Sequence, residues 1–527
     1  MDFIIRLYYT LRYLKLIQVV FQIRIRIKRI FPTKSYNLRR GDCGVLPRRQ
    51  EIDFPNNNTS FFKFWKFSFL NLTKEFTQEV DWNFNDYGKL WNYNLQYLDY
   101  LNQSDINKEN AEIIVNSIFD NIANGSLKME PYPASLRIVN LAKYAMRHNV
   151  KNAQIDRIIE HHTSYLLENL EFHLLANHLL ENALAILIAS AYFNNDLWFK
   201  NASKLVAEQL DEQLLTDGAH YEQSSMYHCI ILTRILDTIQ IMENIENTFE
   251  KAEVVKRLRD DAARMQAYLK AIVFQNGDIP MVNDAAPYIA IEPTRLFSYA
   301  QKLGIQDTKK ELGDSGYRKY TNDDFELFAD YGDLLPIYQP GHAHSDTFNI
   351  IVYQGGNPFL VEMGTSTYQN NKRRKLERSS FAHNTVVVNN ENQSDVWGTF
   401  RVGKRAKVMG LIETKNSIEA FHNGYSSFGV IHKRRIEIES SLISIEDEVT
   451  AKNKIDSKAL FHLHPDVQII EKINTTLVTN MGVLAFNNSS SLIISSYEYS
   501  IGFNSTKEAK LITIEFKDFL KTYITTK

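Results

Sequence analysis

The stretch Gln339–Thr365, QPGHAHSDTFNIIVYQGGNPFLVEMGT, sets the reading of the chain. Two histidines, His342 and His344, stand one residue apart before an apolar run, and Glu362 lies inside the next run. Both runs are short and rich in β-branched residues, and a Gly-Gly-Asn turn separates them, which is the signature of adjacent strands. In an extended strand, residues two apart share a face, so His342 and His344 are expected to point the same way. A glutamate on a buried strand is costly unless a cation or an imidazolium compensates it. His383, in SFAHNTVVV, opens the following apolar run and joins His342, His344 and Glu362 in one group of imidazoles around a carboxylate. By ligand type, that group suits Zn2+. A hydrogen-bonded His/Glu network accounts for the same residues, because three separated ligands do not form a compact zinc signature.

Outward from this stretch the texture is consistent. RAKVMGLIETK, RRIEIESSLISIEDEVT, SKALFHLHP, GVLAFNN, SLIISSYEYSIGF and AKLITIEFK are further β-branched runs broken by Gly, Asn, Asp and Pro, and they predict an antiparallel β-sandwich over 313–527. Before about Leu312 the apolar spacing changes to three and four residues. It does so in KLWNYNLQYLDYLNQ, PASLRIVNLAKYAMRH, ENALAILIASAYF and SSMYHCIILTRILDTIQIMENI, among others. The even succession of such segments predicts αα-hairpins packed side by side over 62–312. The boundary is a shift of composition without a flexible linker, so the two halves are expected to pack together.

The 527 residues exceed one ordinary core, and 60 basic against 62 acidic residues leave a net charge of −2, which argues against nucleic-acid binding. Cys43 and Cys229 are the only cysteines, too few for a disulfide framework, and they leave the redox compartment open. Residues 1–61 read as an apolar segment with basic residues at Arg6, Arg12, Lys15, Arg24, Arg26 and Lys28, followed by a polar linker or arm. Its longest uncharged run, Leu16–Ile23, falls short of the ~20 residues of a membrane span, and no small-residue cleavage site follows it. This leaves a cytoplasmic or membrane-peripheral location expected over a periplasmic one. A basic amphipathic helix can lie on an anionic membrane surface, but packing on the body of the protein is the expectation here.

Two polar groups stand out in the helical half. In NHLLEN, His178 and Glu181 share a helix face beside Asn177. In DGAHYEQSSMYH, residues Asp217, Glu222, Gln223, Tyr227 and His228 crowd a helix start, where Asp217 or Ser224 can serve simply as a cap.

These pieces, with DWNFNDYGKLWNYNLQYLDYL, QNGDIPMVND and RSSFAHNTVVVNNENQSDVWGTFR, resemble in number and order the heparinase II/III-like polysaccharide lyases, including their alginate-lyase-like relatives. The resemblance implies an incomplete α/α toroid followed by an antiparallel β-sandwich. It implies β-elimination on a uronic-acid-containing acidic polysaccharide, with Asn177, His178, Tyr227 and His342 as the catalytic centre. It places a structural zinc at His344, Glu362 and His383. The middle ligand of the family is usually an Asp in D-P-G-T, where this chain has Glu362 in E-M-G-T. Arg374 and Arg378 are the basic residues expected to meet substrate, with Glu222 as a further substrate-binding or orienting residue. Glu181 is placed to fix the His178 tautomer and Asp346 to orient His342 or His344, unless both are surface or capping residues. Two other readings of the scaffold stand beside the lyase: a non-catalytic or biosynthesis-associated glycan-binding protein, and a glycoside hydrolase. The hydrolase lacks a committed carboxylate pair in the sequence.

Overall fold

The computed structural model describes residues 2–30, 52–56, 58–63, 65–244 and 248–526. Cys43 and most of the stretch read as a linker lie outside the described residues. Two helices come first, α1 (Asp2–Leu11) and α2 (Leu16–Ile30), followed by a small antiparallel sheet of β1 (Phe61–Phe62), β2 (Lys66–Phe69) and β3 (Leu72–Glu75). No strand was expected there, since the runs are only two to four residues long. The helical half then runs through α3 (Lys89–Tyr97), α4 (Lys108–Ala123), α5 (Pro131–Arg147), α6 (Ala153–Glu168), α7 (Ala176–Phe193), α8 (Asp196–Gln213), α9 (Ser225–Glu243), α10 (Phe249–Ile272) and α11 (Pro293–Lys302). Among the described residues, no helix is long and apolar enough to cross a membrane.

Helix α7 shows why this half closes around a centre. Its sequence is apolar on all sides, as a helix covered on all sides must be, and it packs against α5, α8 and α9. Every residue from Ala176 to Tyr192 is buried except His178. The one side chain of this stretch that reaches open space is therefore an imidazole.

The β half comprises β4 (Tyr317–Thr321), β5 (Phe325–Asp330), β6 (Ile350–Gln354), β7 (Asn357–Val361), then a short helix α12 (Lys372–Glu377), β8 (Val386–Val388), β9 (Val396–Trp397) and β10 (Arg401–Val402). It continues through β11 (Val408–Glu413), β12 (Ser417–His422), β13 (Val430–Ile438), β14 (Leu442–Ala451), β15 (Ser457–Leu463), β16 (Ile469–Ile473), β17 (Thr476–Thr479), β18 (Gly482–Gly502) and β19 (Ser505–Thr526). Fourteen of the described strands bond into one antiparallel sheet, with the central order β11-β12-β13-β14-β19-β15-β7-β6-β5-β4. The sandwich expected from the sequence is thus a single curled sheet. Its continuity comes from β19, which pairs along one edge first with β15 (Ser457↔Phe516) and then with β14 (Glu448↔Phe519), while β18 covers the other edge. GVLAFNN and SLIISSYEYSIGF, read as two strands, are one strand interrupted by register shifts near Asn487 and Ser489.

The halves pack directly. The Asp217 carboxylate accepts from the amides of Gly313 (3.1 Å) and Ser315 (3.0 Å), and Phe274 stacks on Tyr353 with ring centroids 3.8 Å apart. A buried Arg434 on β13 binds Asp447 through Nε (2.7 Å) and Nη2 (2.9 Å). Its Nη1 donates to the carbonyls of Phe348 (2.6 Å) and Asn384 (2.7 Å), which pins the loop before β6 to the start of β8. Charge-assisted bonds of this kind are about twice as strong as neutral ones.

Candidate active site

A cleft of about 1110 Å3 is lined by residues of both halves, including Asn177, His178, Tyr227 and His342. The helical residues arrive by strained backbone. Leu175 and Ala176, the N-cap and first residue of α7, have φ of 61° and 55°, and Gln223 has φ of 54° just before the Ser224 N-cap of α9. Positive φ in such residues costs about 1–3 kcal/mol each and persists where surrounding structure enforces it. Here it delivers Asn177 and His178 on the first turn of α7 and Tyr227 on the first turn of α9.

Two carboxylates hold this side of the cleft. Glu222 accepts from Asn177 Nδ2 at 3.0 and 2.9 Å, so the amide is fixed in one orientation. Glu171, in the turn before α7, accepts from His178 Nδ1 at 3.1 Å. Burial alone would lower the His178 pKa, but the Glu171 charge and hydrogen bond outweigh it and raise the pKa above the ordinary imidazole value. The orienting role expected of Glu181 belongs to Glu171. Glu181 is buried inside the toroid and accepts from Arg234 Nε on α9 at 2.8 Å. Its position three residues along the helix turns it toward α9 and away from the cleft.

On the β side, the expected strand placement of the histidines is corrected. His342 and His344 lie in the loop between β5 and β6, Glu362 just past the end of β7, and His383 just before β8. The two histidines meet at one carboxylate that the sequence reading did not single out. Asp284, in the loop between α10 and α11, accepts from His342 Nδ1 through Oδ2 (2.8 Å) and from His344 Nε2 through Oδ1 (2.9 Å). Arg374 grips both oxygens of Asp284 through Nη1 and Nη2. Burial opposes charge on Asp284, but Arg374 and the two imidazoles outweigh it and hold the carboxyl well below the ordinary range. Because Asp284 only accepts, His342 carries a proton on Nδ1, and Nε2 is the ring nitrogen not engaged by Asp284. The neighbouring Asn283 accepts from the His344 amide (2.8 Å) and donates to the Gln223 carbonyl (3.0 Å), locking the same loop to α9.

His342 packs against Tyr227, with ring centroids 4.1 Å apart, and the Tyr227 hydroxyl lies 3.4 Å from that of Tyr368. Burial raises the Tyr227 pKa above the ordinary phenol value, partly offset by the Tyr368 contact. Tyr227 at rest is therefore a protonated phenol.

Arg374 and Arg378 do not face the cleft. Both are buried, Arg374 on Asp284 beneath the rings of Tyr368 and Phe400, and Arg378 on the Ala343 carbonyl at 2.9 Å. They hold the histidine loop in place.

Behind the cleft, His344, Glu362 and His383 bring one ligand atom each to within 4.8 Å of one another and can hold a metal ion. His344 Nδ1, His383 Nε2 and Glu362 Oε1 are buried acceptors with no hydrogen-bond partner among the described residues, and so is Asp346 Oδ2. Burial pushes His344 down to about 3 and His383 to about 4, which keeps both in the neutral, ligating form. Burial pushes Glu362 well above the carboxylate range. Several ligand atoms close to one another and without a hydrogen-bond partner are what a cation satisfies, so the residues fit the group. Asp346 bonds neither His342 nor His344. It is buried near His383 and Glu362, and burial raises its carboxyl to about 6.

Family models match both halves: "Heparinase II/III N-terminus" over residues 148–303 and "Heparinase II/III-like, C-terminal" over 306–523. The chain belongs to the heparinase II/III-like family. Its fold is similar to a crystal structure of heparinase III, with TM-score 0.65 at 14% identity over 86% of this chain and 80% of that one. It is also similar to the heparan sulfate lyase HepC of Pedobacter heparinus, with TM-score 0.55 at 14% identity over 88% and 81%. No curated protein matches the chain by sequence. At such identity the structural likeness shows the α/α toroid and β domain shared by these heparinase II/III-like chains.

Proposed function

We propose that the protein is a polysaccharide lyase that cleaves a uronic-acid-containing acidic polysaccharide by β-elimination. The observation that carries the proposal is the Tyr227/His342 pair, with His342 held by Asp284 and lining one cleft with Asn177 and His178. In the reaction, the proton α to the uronate carboxylate is removed, the carbon–oxygen bond at the β carbon breaks, a carbon–carbon double bond forms, and the leaving oxygen takes up a proton. Charge develops on the carboxylate as the proton leaves. His178, protonated through its pairing with Glu171, neutralises that charge, and Asn177 fixes the carboxylate through the remaining hydrogen of its Nδ2. His342 presents the lone pair of Nε2 as the base, and Tyr227, a protonated phenol, donates to the leaving oxygen. Glu171 and Glu222 are each committed to a neighbour, His178 and Asn177, which argues against the acid/base pair of a glycosidase.

The metal at His344, Glu362 and His383 is proposed to be Zn2+, chosen by two imidazoles and a carboxylate. When bound it supplies positive charge that compensates Glu362 and cross-links the loop carrying His342 to β7 and β8. The chain's own residues perform the proton transfers.

Elemental analysis of the purified protein should find about one zinc per chain, and His383→Ala should lose it together with thermal stability; a metal-free wild type would contradict the assignment. Assayed on a panel of uronate polymers for the ultraviolet absorbance of the conjugated product, the wild type should give signal on at least one. Tyr227→Phe, with unchanged circular dichroism, should lower kcat by about 10²–10⁴; no absorbance on any polymer, or an unimpaired Tyr227→Phe, rejects the proposal. Because Glu171 holds the His178 pKa up, Glu171→Gln should lower it and move the alkaline limb of the kcat/KM profile to lower pH. An unmoved limb removes His178 from the neutralising role.

A further inference from the structure

The second N-terminal helix lays one face on the body of the protein and turns an apolar stripe outward. On α2, Gln18, Phe21, Ile25 and Lys28 recur at three- and four-residue spacing and form the inner face. Gln18 is buried, Phe21 packs on Phe172 at 4.8 Å, and Lys28 Nζ donates to the Glu168 carbonyl and Asn169 Oδ1 at 3.0 Å each. On the opposite stripe Leu16, Val20, Ile23 and Ile27 are 78%, 50%, 54% and 53% exposed. On α1, Ile4, Tyr8 and Leu11 continue the pattern at 73%, 60% and 50%. The display is anchored to both halves of the protein. Arg6 pairs with Asp395 at 2.8 Å, Trp397 Nε1 donates to Thr10 at 3.1 Å, and Lys15 pairs with Glu212.

An exposed apolar stripe of this kind marks an interaction surface, and its charge says with what. Residues 1–30 carry seven basic side chains against one carboxylate, Asp2, in a chain whose net charge is −2. Arg24 and Arg26 flank the α2 stripe on its two sides, both exposed. A second copy of the same face would oppose cation to cation. A bilayer carrying anionic headgroups complements both features, since the apolar stripe enters the acyl boundary while the flanking cations meet the headgroups.

We propose that the outer face of α1 and α2 seats the protein on an anionic lipid bilayer. Phe21, Arg24, Ile25 and Lys28 of α2 also line the cleft, so the helix that rests on the lipid is at the same time a wall of the site. The proposal does not depend on the chemistry assigned to that site.

The test is co-sedimentation of the full-length protein with vesicles of phosphatidylcholine alone and of phosphatidylcholine mixed with phosphatidylglycerol. The expected result is binding to the mixed vesicles only. Partitioning should be at least about tenfold weaker in the triple variant Val20→Ser, Ile23→Ser, Ile27→Ser, and weaker in Arg26→Glu, each with the wild-type melting temperature. Should the triple variant fail to fold, Arg26→Glu decides alone. Absence of binding to the mixed vesicles, equal binding by folded variants, or a dimer in solution that the triple variant dissolves without any vesicle binding would each overturn the proposal.

Discussion

The site depends on one buried carboxylate. Asp284 comes from the helical half, yet its partners, His342, His344 and Arg374, come from the β half. A carboxylate this deep is stable only when its charge is fully met, and here a bidentate guanidinium and two imidazole N–H groups meet it. The consequence is mutual. Asp284 sets the tautomer of both histidines and fixes the loop that carries them, while Arg374, buried under Tyr368 and Phe400, has Asp284 as its carboxylate partner. The two imidazoles, one residue apart, are separated by which oxygen of Asp284 each one meets. His342 keeps some exposure to the cleft, and His344 turns its free nitrogen inward, on the side of Glu362 and His383.

The surrounding architecture keeps that arrangement from relaxing. Phe348, in the same loop, has φ of 66°, and its carbonyl is held by Arg434, whose other contacts run to Asp447 and to Asn384 beside His383. On the helical side the strained Leu175, Ala176 and Gln223 are enforced by the packing of α7 and α9. The curled sheet and the toroid meet at the Asn283–Asp284 loop, which bonds both the start of α9 and the histidine loop.

Much of this was legible in the sequence. The change from three- and four-residue spacing to short β-branched runs marks the two halves, and the resemblance to heparinase II/III-like lyases named Asn177, His178, Tyr227 and His342, which the fold brings to one cleft. What was not legible has a common cause. Glu181 is the partner that helix spacing offers His178, whereas Glu171 lies in a turn whose path no periodicity predicts. Asp284 sits in QNGDIPMVND, one of the segments that carry the family resemblance, but an Asp beside an Asn in a loop looks like any turn residue until the fold carries it next to two histidines. Arg374 and Arg378 look like substrate-binding cations in a basic run, and only their burial shows that they serve the loop. The continuity of β18 was hidden by the run Asn487-Asn488-Ser489-Ser490-Ser491, which interrupts the alternation without ending the strand.

The most direct test of the account is the steady-state kinetics of Asp284→Asn, a change that keeps the side-chain volume and removes the charge that sets the His342 tautomer. With a folded variant and a polymer that the wild type cleaves, the account predicts a fall in kcat of at least about a hundredfold with KM little changed. A folded Asp284→Asn protein that turns over at the wild-type rate would contradict it.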